Sequence, residues 1–135
     1  MPTFTDPTAD ADEAQQALRG LAHATRSIDD PGEIYSVLGS LSAAAASLEQ
    51  SLHQLANFHD DPARKRVWVS GDERAGRAAS HQISWELHRA GEILRQVAHS
   101  LDHAHEVEAS IAYDSSHFPL VTEPPRPTPS EGLSL

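Results

Sequence analysis

Nine histidines fall within 135 residues, and two of them, His99 and His103, stand one helical turn apart. Glu106 is nearly in line with them and Asp102 lies alongside. Imidazoles at i and i+4 converge on one helix face, so this spacing can chelate a divalent ion. A closed site needs a fourth ligand from another helix, and nothing in the spacing directs His53 or His23 to supply it. The paired Glu-x-x-His motifs of a four-helix di-metal centre are missing, and the nearest fragment, Glu86-Leu87-His88, has the wrong spacing. Such pairs arise readily by chance in a histidine-rich chain, and no metal site is assigned.

Other candidate chemistry is weaker. Val67-Trp68-Val69 followed by Gly71 to Ala78 has the outline of a strand leading into a phosphate-binding loop. That chemistry needs a lysine on the phosphates and a hydroxyl on magnesium, yet the positions hold Arg77 and Ala78. Asp72 and Glu73 would repel the phosphate, so the segment reads as a capped helix start. Serine, histidine and aspartate are plentiful, but no nucleophile elbow or oxyanion loop organises them into a hydrolase. The chain has no cysteine, which removes thiolate nucleophiles, thiolate metal sites and disulfides. No catalytic residue and no cofactor is assigned.

Charge narrows the partners. The formal net charge is −10, from 20 acids against 10 bases, a balance that argues against gripping phosphate backbones. A locally basic stretch, Arg64, Lys65, Arg66, Arg74, Arg77, Arg89 and Arg95, keeps a nucleic-acid-associated regulator as one alternative. A histidine-based metal-binding or pH-responsive protein is another. No stretch approaches the ~18 apolar residues of a membrane span, and the N-terminus has neither a basic nor an apolar leader region. A cytoplasmic bacterial protein without a membrane role is the expectation.

The elements that must position these residues follow from apolar spacing. Ile34, Leu38, Leu41, Ala45, Leu48, Leu52 and Leu55 step by four and three, as do Ile83, Leu87, Ala90, Leu94, Val97, Leu101 and Ala104. A weaker series, Ala14, Leu18, Leu21, Thr25 and Ile28, precedes them. A mean step of 3.5 residues keeps one stripe of a helix against one partner. The pattern predicts helices over about 8–27, 31–58 and 72–113, after a flexible stretch at 1–7. Asp30-Pro31 with Glu33, and Ser70-Gly71-Asp72-Glu73 as a second capping box, are the start signals. Pro62 stops the second helix. The proline-rich segment 114–135 cannot bury enough apolar surface to order itself and is expected to be a disordered tail.

The fold expected is all-α: a three-helix antiparallel bundle, or a helical hairpin, with a long third helix. The helix–turn–helix outline, with Trp68 and Gly71 in the turn, resembles the WXG100 family of small secreted helical hairpins. The turn is one residue longer than that family's Trp-x-Gly, and His117 stands where its Tyr-x-x-x-Asp/Glu signal has an acid after Tyr113. An extra N-terminal helix is a third departure, so membership is not assigned.

Function is sought in the helix faces. Opposite its apolar stripe the second helix carries Ser36, Ser40, Ala43, Ser47, Gln50, Gln54 and Asn57, small or uncharged where a solvated back has charges. Either the first helix covers it or a partner does. Trp85 and Trp68 are candidate contact aromatics. The function expected is a non-enzymatic helical interaction or assembly protein, self-associating or binding another protein, through Trp68, Trp85, Ser40, Ala43 and Ser47.

Overall fold

The computed structural model describes residues 1–61 and 72–114. It contains three helices, α1 (Pro7–Ala24), α2 (Gly32–Asp60) and α3 (Glu73–Glu108). Trp68, the basic run Arg64 to Arg66, the extended piece expected at Val67–Val69 and the tail from 115 onward lie outside the described residues.

α1 starts one residue before the expected Thr8, at a proline whose missing N–H no helix position there requires. The Asp6 carboxylate caps it, accepting from the Ala9 amide at 3.1 Å. Asp10 reaches back in the other direction, and its two oxygens accept from the amides of Thr3 at 2.6 Å and Phe4 at 3.1 Å. Those bonds, the Thr3 amide foremost, hold the Asp10 carboxyl below its usual 3.8. α1 buries none of its residues.

The start of α2 differs from the expected capping box. Pro31 rather than Asp30 takes the cap position, in helical geometry and with no side-chain acceptor. The proline ring already fixes φ near the helical value, which suits the start of a helix. At the other end α2 continues to Asp60. Asp61, preceding Pro62, is extended with ψ 118°, as the proline ring imposes on its predecessor. α3 begins at Glu73, near the expected 72, and its cap is Asp72, accepting from the amides of Arg74 at 3.0 Å and Ala75 at 3.2 Å. Ser70, the first residue of the expected capping box, lies outside the described residues. It ends at Glu108, five residues short of Tyr113.

The chain divides into two compact units, one of which, Pro31–Ile111, is the hairpin of α2 and α3. All-α architecture is therefore what the structure shows, and in this unit it takes the hairpin form.

Its seam is not the one the leucine spacing suggested. The buried residues of α2 are Ser42, Ala45 and Ala56, and those of α3 are Gly76, Ser80, Ser84 and Gly91. Leu38, Leu52, Leu87, Leu94 and Leu101 border this seam half-buried. Leu48, Leu55, Ile83 and Val97 stand outside it, exposed. Half of each expected stripe has thus moved out, and the residue one place further along the chain has taken its position. Small residues allow closer backbone approach than leucines would, and a wide apolar stripe tolerates the rotation. Gly91 marks the closest point: a Cβ built there would lie 2.6 Å from His53 Nε2. No large side chain is fully buried among the described residues, and the buried apolar side chains are Ala45 and Ala56.

Candidate functional site

A hairpin with a seam of small residues has two broad faces, and the chain treats them oppositely. Reversing direction between two antiparallel helices also reverses the sense in which residues rotate. Stepping back one residue from a seam position therefore leads to the same face from either helix, and stepping forward leads to the other.

The seam and its forward edge are polar and bonded across the hairpin. His53 and His88 meet through their Nδ1 atoms at 2.8 Å. His88 Nε2 lies 3.0 Å from Asp60 Oδ2, and Ser84 donates its hydroxyl to the other oxygen of Asp60. His53 Nε2 is 3.7 Å from Glu92. Toward one end of the seam His59 Nδ1 sits 2.9 Å from the Ser80 hydroxyl. Toward the other, Ser42 donates to Asp102, and Tyr35 stacks on His105 with centroids 4.1 Å apart. Every buried side-chain nitrogen or oxygen among the described residues has a partner, as a seam closed to water requires.

Two chemical consequences follow. The Ser84 hydroxyl and the His88 imidazole hold the Asp60 carboxyl below its usual 3.8. The Nδ1–Nδ1 axis between His53 and His88 has room for one proton, since a hydrogen on each nitrogen would place two donors face to face. With His88 Nε2–H given to Asp60, the neutral pair leaves His53 Nε2 open toward Glu92. One added proton completes that row, and a further one breaks the Nδ1–Nδ1 bond.

The opposite face is aliphatic. Leu41, Leu48 and Leu55 of α2 precede the seam positions by one residue, as Ile83, Ala90 and Val97 do on α3. Ile93 borders the same surface. Leu55 is 55% exposed and Ile93 51%. Glu86 and Glu108, both carboxylates, are charged residues on this side of α3.

The residues expected to bind a partner are placed as follows. Ser40, Ala43 and Ser47 are exposed on α2, away from the seam. Trp85 is 56% exposed, with the Arg89 guanidinium carbon 5.4 Å from its ring centroid, so its indole carries a cation–π contact within its own helix. The structure does not bring these four into one cluster. His99, His103 and Glu106 are exposed on α3, while Asp102 is engaged by Ser42. No group of three or more metal-ligating side chains comes together among the described residues, and no described helix is long and apolar enough to cross a membrane.

The polar row was missed by spacing arguments centred on leucine. Its signal is present nonetheless: His53 and Asp60 are seven apart, as are His81, His88, Arg95 and Asp102, all one place beside the stripe. No family model, no curated protein and no solved structure matches this chain.

Proposed function

We propose that the chain is a non-enzymatic helical interaction and assembly protein that associates with itself. The observation that carries this reading is the missing core. Ala45 and Ala56 are the buried apolar side chains among the described residues, while a row of aliphatics on the hairpin is left half in water. Hydrophobic burial is the main favourable term in folding, so a hairpin of this composition gains what it lacks from a partner. Having no cysteine, it suits a reducing, cytoplasmic setting. The test is the solution mass by light scattering over a hundredfold concentration range. A species of at least twice the 14.6 kDa chain mass is expected, and a monomer throughout removes the reading.

The His53–His88 pair favours a second reading, a histidine-based pH response in the hairpin. Asp60 faces the pair from α2 and Glu92 from α3, and His81 contributes to the potential at Asp60. Comparison of melting temperatures at about pH 5.5 and about pH 7.5 addresses it, since imidazoles titrate between them. A difference that His53→Ala abolishes supports the response, and equal values exclude it.

A further inference from the structure

We infer that the aliphatic face of the α2–α3 hairpin receives the same face of a second copy, so that two hairpins close into a four-helix bundle. This rests on the assembly reading and assigns its surface. Leu48 and Leu55 from α2, with Ile83, Ile93 and Val97 from α3, each leave roughly half of their area in water, and the half-buried Leu41, Leu52, Leu87, Leu94 and Leu101 border them. Together they amount to an apolar patch on the order of 600 Å², at the upper end of what a monomer usually shows. Two such patches pressed together bury about 1,200 Å², the lower bound of a specific interface.

The chemistry of the face selects the occupant. Its charges among the described residues are carboxylates, Glu86 and Glu108 on α3, and it offers no cation, so an acidic or strongly polar helix would lose its hydration there without compensation. A matching surface must be aliphatic, two helices wide and nearly free of charge. The hairpin itself supplies that surface, and a two-fold axis brings the same face of a second copy against it. In this arrangement the histidine and carboxylate row points outward and stays solvated.

The experiment is light scattering on the full chain, carried out on wild type, Ile93→Glu and Ser40→Glu. Ile93 lies outside the seam, so a charge there leaves the hairpin intact, which circular dichroism verifies. Ser40 is the control on the uncharged back of α2. Wild type at twice the chain mass, with Ile93→Glu weakening the dimer at least tenfold and Ser40→Glu leaving it unchanged, is the expected result. A dimer broken by Ser40→Glu and indifferent to Ile93→Glu overturns the assignment of this face while the assembly reading stands. A wild-type monomer at every concentration overturns both, whether the face is then covered by the apolar stripe of α1 or by another protein.

Discussion

Gly91 holds the His53–His88 pair in place, because a side chain there would occupy the space of the His53 ring. A Cβ at 2.6 Å from Nε2 forces the imidazole to swing away, and a ring at the end of a flexible side chain can do so. Gly91→Ala is therefore expected to break the Nδ1–Nδ1 bond. Alanine also favours the helix by up to ~1 kcal/mol over glycine, which offsets much of the loss. Nitrogen-15 spectra of the histidines should change while the melting temperature moves by only a few degrees. Asp60 gives a second, independent expectation. Its carboxyl is held below 3.8 by the Ser84 hydroxyl and by His88, so its folded form binds a proton less readily than its unfolded form. That contribution to stability is present above the usual value and is lost as pH falls through the depressed one. Melting temperatures between about pH 4 and pH 2 should decline less steeply in Asp60→Asn than in wild type. An identical acid limb would show that this carboxylate does not link protons to folding.

At the scale of elements, the closeness of α2 and α3 depends on residues without bulk. Ala56 is 0% exposed, and enlarging it must push the helices apart. Ala56→Leu is expected to destabilise the hairpin by about 1–3 kcal/mol despite adding an apolar side chain, measured by urea unfolding. The same view explains what was legible in the sequence. Three helices and their approximate bounds follow from 3.5-residue spacing and local capping chemistry, which need no knowledge of the partner helix. The seam did not follow, because Leu41 and Ser42 are neighbours and the stripe is wide enough for either to face α3. Deciding between them requires comparing leucine packing with the closer approach and cross-helix hydrogen bonds that Ser42, Ser80, Ser84 and Gly91 permit. That comparison is a property of two helices together, and periodicity within one does not contain it. The contact residues were blurred for the same reason: moving half the leucines out of the seam turns assumed core into the surface that the function needs.

On the whole-molecule scale, net charge and apolar face act against each other, and the balance fixes how association responds to salt. Each chain carries a formal charge of −10, so two copies repel at long range. The proposed contact is aliphatic, and its charges among the described residues are the carboxylates Glu86 and Glu108, with no opposing cation. Salt shortens the reach of the repulsion to about 8 Å at physiological ionic strength and has no ion pair to weaken. Raising sodium chloride from low to physiological concentration should therefore tighten the dimer, whereas an interface built from opposite charges would loosen. Folding linked to association also makes the melting temperature rise with protein concentration. Both trends should appear in wild type, and Ile93→Glu should suppress the concentration dependence by adding repulsion inside the contact. Sedimentation equilibrium at two salt concentrations distinguishes the cases. A dimer that weakens with salt would place the contact on charged residues, away from the aliphatic face, and a melting temperature independent of concentration would mean that the hairpin folds without its copy.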